Sequence, residues 1–261
     1  MESFHLLEAT TFDIRHSAFR IRPERGDHRS LTSTRRFGKR LLRPIARHRD
    51  GIVTMKKYSM EFIGTFFLVL TIGMCVIKPD IGNLAPIAIG SALMVMIYAG
   101  GHISGGHYNP AVTMAVWVRG KCPTADVPGY MIAQVLGGGI AAGVVLWFKG
   151  NPPLTAGDAP VLPALAAEFL GAFALTSVVL NVATSKDTAG NSNYGLAIGF
   201  TVAAMAFALG GISGAFNPAV GVGLVLMHLA KAASLWIYFV ATLLAGALAG
   251  VVFKWMNPHD P

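Results

Sequence analysis

The chain has 261 residues, of which 53% are hydrophobic and 13% charged, with 30 glycines and a mean hydropathy of +0.55. That composition excludes a disordered chain and argues against a water-soluble enzyme. The net charge of +8 sits in one place: Lys and Arg number 14 in residues 1–57 and seven thereafter, against six and seven Asp and Glu. The pI therefore describes a basic tail on an electrically balanced apolar body, and nucleic-acid binding is not expected.

Residues 1–54 contain no apolar stretch long enough for a signal-peptide core. Glu2, Glu8, Asp13, Glu24, Asp27 and Asp50 speak against an organellar transit peptide, which is poor in acids. The run from Arg35 to Arg49 could meet anionic headgroups, but the preferred reading is a solvated, disordered tail, 1–54, ahead of a membrane domain, 55–261. Met55-Lys56-Lys57, directly before the first apolar run, resembles the start of a compact membrane protein.

Six apolar runs follow in order, 58–77, 84–101, 127–148, 161–182, 194–211 and 232–253, and the only formal charges inside them are Glu61 and Glu168. Each is about long enough to cross roughly 30 Å of hydrocarbon as a helix. Two shorter pieces, Asn109 to Val118 and Asn217 to Leu229, read as re-entrant half-helices. The expected fold class is an all-α membrane protein with six transmembrane helices and two half-helices. Basic flanks (the tail, Arg119, Lys121, Lys186 and Lys254 against Lys78, Lys149 and Lys231) predict cytoplasmic termini, in a plasma or inner membrane. Cys75 and Cys122 are too few and too differently placed for a disulfide framework or metal cluster, and no cofactor or metal is expected.

The body repeats itself. Glu61-Phe62-Ile63-Gly64-Thr65-Phe66 is answered by Glu168-Phe169-Leu170-Gly171-Ala172-Phe173, and Ile103 to Val112 by Ile212 to Val220. The third helices pair through Tyr130 with Tyr238, and through Gly139-x-x-x-Gly143 with Gly246-x-x-x-Gly250, the small-residue spacing of close membrane helices. Halves of three spans each, about 55–150 and 160–258, enter the membrane in opposite senses, which gives an inverted repeat.

Within it, Asn109-Pro110-Ala111 and Asn217-Pro218-Ala219 occupy corresponding positions. Asn caps a helix and Pro takes the first helical position, so each half-helix begins at its Asn. Two N-termini facing one another bring two positive dipole ends to one point, where cations and hopping protons are repelled. The Asn amides can turn donors to the lumen, so that a passing water orients its oxygen toward both. Pro110, Ala111, Pro218 and Ala219 would pack the two ends together.

Through both Asn-Pro-Ala motifs, Gly101-His102-Ile103-Ser104-Gly105-Gly106-His107 and the repeated Glu-Phe-x-Gly, residues 56–256 resemble the aquaporin, or major intrinsic protein, family. The resemblance implies a homotetramer with one pore per protomer in the lipid bilayer. It also implies that Glu61 and Glu168 are structural acids that accept hydrogen bonds from the loop before each half-helix, and that His107 lies near the cytoplasmic lumen. His107 reads as loop-ordering in preference to a pH gate. Where most members follow the second motif with Arg, this chain has Val220. The remaining filter positions fall on Ile89, on Met205 or Ala206, and on Gly214 or Ala215, the alternatives arising from a one-residue shortening of the second loop. An apolar filter offers no replacement hydrogen bonds, which handicaps ions and favours weakly hydrated neutral solutes. The expected permeants are water and small uncharged solutes of the urea, ammonia, hydrogen peroxide or glycerol class. Thr242, where the family often has Pro, has no functional account at this level.

A secondary transporter would share the inverted repeat but needs coupling-ion ligands, and the two buried carboxyls are already assigned. A membrane enzyme would need a catalytic motif; no His-Glu-x-x-His or Gly-x-Ser-x-Gly appears.

Overall fold

The computed structural model describes residues 31–154, 156–157 and 160–260, and among these no strand occurs. Of the described residues, those up to Arg47 belong to one unit and those from His48 onward to a second, the membrane body. The tail expected to lack structure lies outside the described residues up to position 30, but 31–54 are helical. They form the start of helix α1 (Leu31–Val76).

The body continues with α2 (Ala85–Ser104), α3 (Pro110–Arg119), α4 (Val127–Lys149), α5 (Val161–Val179), α6 (Tyr194–Leu209), α7 (Pro218–Leu226) and α8 (Leu235–Met256). Among the described residues, five helical stretches are long and apolar enough to cross a membrane, the first being Val53–Val76. The sixth membrane helix, α6, has 16 residues and stops at Leu209, short of the expected 211. Gly210 and Gly211 follow it as a turn that leads into the loop before Asn217. With the short α3 and α7, this is the all-α architecture of six membrane helices and two half-helices.

Large apolar side chains lie outside as well as in the core, and several polar ones are fully buried. Trp255, Leu162 and Trp147 are 75–80% exposed, whereas Glu61, Arg119, Gln134 and Glu168 are 0% exposed. Such a surface suits hydrocarbon; inside, the polar groups are mostly paired, the exceptions among the described residues being Arg119 Nε and Nη1 and Gln134 Oε1.

The two halves exchange their half-helices. Chain α3 packs on α8 of the other half, and α7 on α4. A side chain added at Gly246 would strike the carbonyl of Ala111, and one at Gly138 would come 2.7 Å from the carbonyl of Ala219. Midway, α2 and α6 meet through Gly90 and Gly199, each facing the other's carbonyl. In lipid, where apolar burial drives little, this backbone approach supplies the attraction.

The register of the third helices differs by one residue from that expected. The partner of Gly246 is Gly138, not Gly139, the same spacing that relates Tyr130 to Tyr238. Gly139 meets only the tip of Leu226 and Gly143 meets nothing within 4 Å. The Gly-x-x-x-Gly pattern of α4 therefore lies one helical step, about 100°, off its packing face.

Candidate functional site

Each half-helix starts as its sequence dictates. Asn109 is extended (φ −159°, ψ 122°) and its Oδ1 accepts from the Ala111 amide at 2.8 Å. Asn217 repeats this (φ −162°, ψ 118°), accepting from Ala219 at 2.9 Å. Pro110 and Pro218 sit at the first helical position, where their missing N–H costs nothing.

The amide nitrogens do more than face the lumen. Asn109 Nδ2 donates to the carbonyl of Phe216, and Asn217 Nδ2 to the carbonyl of Tyr108, both at 2.9 Å. The crossed pair staples the half-helix ends together and leaves each NH2 one further hydrogen for the lumen. Tyr108 and Phe216 can present those carbonyls because both hold φ 49°, a left-handed backbone that bulky residues adopt only when the surroundings enforce it. Their rings enforce it: Tyr108 fills the notch over Gly64 and Phe216 that over Gly171.

Behind each ring is a carboxylate. Glu61 Oε1 accepts from Ser104 Oγ (2.6 Å) and the His107 amide (3.0 Å), and Oε2 accepts from the Tyr108 amide (2.6 Å) and Gln134 Nε2 (2.7 Å). Glu168 accepts from Ser213 Oγ (2.6 Å) and the amides of Ala215 (2.8 Å) and Phe216 (2.6 Å). A charged acceptor is the strongest available partner for non-helical N–H groups at membrane depth. Among the described residues Glu168 has no fourth donor: Thr242 stands at the repeat position of Gln134, and its hydroxyl donates within its own helix to the Tyr238 carbonyl.

His107 is buried, with Nδ1 3.1 Å from Thr113 Oγ1 and its ring 5.0 Å from that of Tyr130. Thr113 Oγ1 also receives Gln134 Nε2 (3.0 Å) and reaches the Asn109 carbonyl (3.2 Å). With its one hydrogen given to that carbonyl, Thr113 accepts from Nδ1–H, and Nε2 becomes the imidazole acceptor.

A cavity of about 310 Å³ runs past both Asn residues. Ile89, Ala206, Gly214, Ala215 and Val220 line it, together with Val76 and Pro86, which the sequence did not single out. Met205 does not line it; with Phe169, Phe173 and Leu209 it packs against the buried cluster of Ala172, Phe216 and Ala245. The cavity face of α6 runs Ile198, Val202, Ala206 at helical spacing, and the adjacent position points about 100° away. Both Gly214 and Ala215 face the cavity, because the loop there is not helical. Among the described residues, the lining contains no Asp, Glu, Lys or Arg.

A second polar centre lies away from the cavity. Arg119, fully buried at the end of α3, stacks 4.5 Å above the Phe253 ring and donates Nη2 to Asp260 Oδ1 at 2.7 Å. Asp260 Oδ2 accepts from the Lys186 amide at 2.8 Å. That amide, then the Arg119 guanidinium, holds the Asp260 carboxyl below the usual carboxylate range. No local pattern announces a contact between residues 141 apart.

The family profile for the major intrinsic protein family matches residues 48–253. The chain is 37% identical over 219 residues to glycerol uptake facilitator protein-like 6 of Lactiplantibacillus plantarum, covering 79% of this chain and 100% of that protein. It is 37% identical over 215 residues to nodulin-26 of Glycine max, covering 77% and 78%. A crystal structure of the aquaglyceroporin from Plasmodium falciparum shares the fold, with a TM-score of 0.62 at 22% identity, over 78% of this chain and 95% of that one. Two Asn-capped half-helices meeting in an inverted repeat, together with these matches, establish that the chain belongs to the major intrinsic protein family.

Proposed function

We propose that the chain is a passive transmembrane channel for water and small uncharged solutes, and that it excludes protons and ions at the paired Asn109 and Asn217. The observation that carries this reading is the arrangement of one uncharged cavity past two helix N-termini whose Asn amides bond across to each other's loops. A cation there faces two positive dipole ends and no counter-charge. A water molecule finds two donors for its oxygen, which turns its hydrogens outward and breaks the proton wire. The apolar stretch around Ile89, Ala206, Gly214 and Val220 has no Arg to narrow it, which favours solutes of the glycerol, urea, ammonia or hydrogen peroxide class. A relative named for glycerol uptake supports the same class.

The assembly proposed is a homotetramer in a plasma or inner membrane, with cytoplasmic termini. Support for the orientation is the clustering of Lys57, Arg119, Lys121, Lys186 and Lys254 against Lys78, Lys149 and Lys231.

The test is stopped-flow light scattering of proteoliposomes under sucrose, urea and glycerol gradients, with Val220→Arg alongside. The expected result is fast shrinkage in sucrose, solute entry above that of protein-free vesicles, and a selective fall of solute entry in Val220→Arg. Water flux equal to that of protein-free vesicles refutes the channel.

A further inference from the structure

The pseudo-two-fold axis passes between Gly90 and Gly199, which face each other's carbonyls. It therefore relates Ile89 to Ile198, Ala206 to Ile97, Val220 to Val112, and Ala215 to His107. The ring around Val220 thus has a mate on the other side of the Asn pair, and all of its members line the same cavity.

The mates are not equal. Where one ring has Ala206, the other has Ile97, three carbons larger; where one has Ala215, the other has an imidazole. Ile97, Val112, Ile198 and His107 are 3–8% exposed; in the other ring Val220 and Ala215 are equally buried, at 3% and 7%, while Ile89 and Ala206 are half-buried and Gly214 is exposed. The two rings differ at three pairs: Ile89, Ala206 and Gly214 are more accessible than their mates Ile198, Ile97 and Gly106.

A separate observation agrees. Beyond this ring a vestibule of about 580 Å³ opens among Thr184, Lys186 and Tyr194. The side chains it shares with the central cavity are Ile97, Val179 and Ile198, with Gly106 beside them. Residues common to two adjoining cavities form the neck between them.

We propose that the solute-discriminating constriction of this channel is the neck formed by Ile97, Val112, Val179 and Ile198 with His107, and not the ring around Val220. The neck offers several aliphatic walls and one hydrogen-bonding side chain. A permeant must shed nearly all its hydration for a single polar partner, so ammonia and hydrogen peroxide, with few polar groups, pass more readily than urea or glycerol. This rests on the channel reading above.

The experiment compares Ile97→Ala, Ile198→Ala, Ile89→Ala and Ala206→Ile in proteoliposomes, taking the ratio of glycerol to water permeability. Trimming the neck is expected to raise that ratio about tenfold for Ile97→Ala, with a smaller rise for Ile198→Ala, since a few carbons in an apolar constriction discriminate at that scale. Ile89→Ala is expected to change it less than about twofold. Ala206→Ile copies the neck residue into the other ring; two equal resistances in series lower solute flux by about twofold at most. This variant decides the matter if a neck variant fails to fold. A larger effect from Ile89→Ala than from Ile97→Ala, or a loss of about tenfold in Ala206→Ile, overturns the assignment while wild-type water flux leaves the channel intact. Absence of wild-type water flux overturns both.

Discussion

Replacing Asn109 by Asp tests whether the half-helix ends are the barrier to protons. Each end carries about half a positive charge. At roughly 5 Å and an effective dielectric constant of about 20, each repels a monovalent cation by about 1.7 kcal/mol, so that the pair contributes about 3 kcal/mol, or a factor on the order of 10² in flux. A carboxylate at position 109 brings one full negative charge to the point where two half charges meet, and the sum is close to zero. It can still accept from the Ala111 amide but cannot donate to the Phe216 carbonyl. That unpaired carbonyl lowers stability by about 1–3 kcal/mol. The expected result is a folded channel with reduced thermal stability, retained water permeability and proton flux raised on the order of 10²-fold. Proton flux is read from a trapped pH-sensitive dye in vesicles clamped with potassium and valinomycin. Water flux near wild type, with proton flux unchanged within about twofold, would refute the dipole argument.

Three further outcomes follow from the packing. Glu168→Gln replaces one acceptor oxygen by a donor that faces the loop amides of Ala215 or Phe216; about 1–3 kcal/mol is expected to be lost for each amide left unpaired, read as a lower melting temperature in detergent, and an unchanged melting temperature contradicts the carboxylate's role. Gly246→Ala drives a methyl into the Ala111 carbonyl and is expected to destabilise by about 1–3 kcal/mol, whereas Gly143→Ala meets nothing and gains helix propensity of up to about 1 kcal/mol; equal melting temperatures would refute the register assigned to α4. The Asp260 carboxyl, held below its ordinary range, contributes stability that is complete above the unfolded value of about 4 and disappears as pH falls through the lower folded value. Hydrogen exchange at the Lys186 amide is accordingly expected to be slow and insensitive to opening from pH 8 to 5, and fast at neutral pH in Asp260→Asn; equal protection in that variant contradicts the attachment.

Much of the architecture was legible because its signals are local. Asn-Pro announces a capped helix start wherever it lies, and the repeated Glu-Phe-x-Gly fixes the register of the first helix in each half without any tertiary knowledge. What failed to read through depends on rotation about a helix axis or on distant partners. Met205 and Ala206 differ by one position, and the shortened loop before Asn217 removes the ruler that would choose between them; the spacing Ile198, Val202, Ala206 was the signal that could have done so. The same one-residue ambiguity hid Gly138 behind Gly139. The crossed Asn bonds need the left-handed turns at Tyr108 and Phe216, which sequence propensity disfavours and only the glycine notches beneath their rings permit.

The departures from two-fold symmetry are themselves organised. His107, Thr113 and Gln134 form one hydrogen-bonded group in the first half, and their repeat positions are Ala215, Gly221 and Thr242. Of those three, the first two have no side-chain hydrogen-bonding group, and the third turns its hydroxyl onto its own helix. An Arg in place of Val220 would have put the polar filter in the second half; without it, the side-chain polarity lining the cavity beyond the Asn pair is concentrated at His107 in the first. Thr242 then has a structural meaning: a glutamine there would bind Glu168 as Gln134 binds Glu61. Because both carboxylates already hold their loop amides, the additional donor serves the His107 side alone, where it fixes Thr113 and through it the imidazole at the neck.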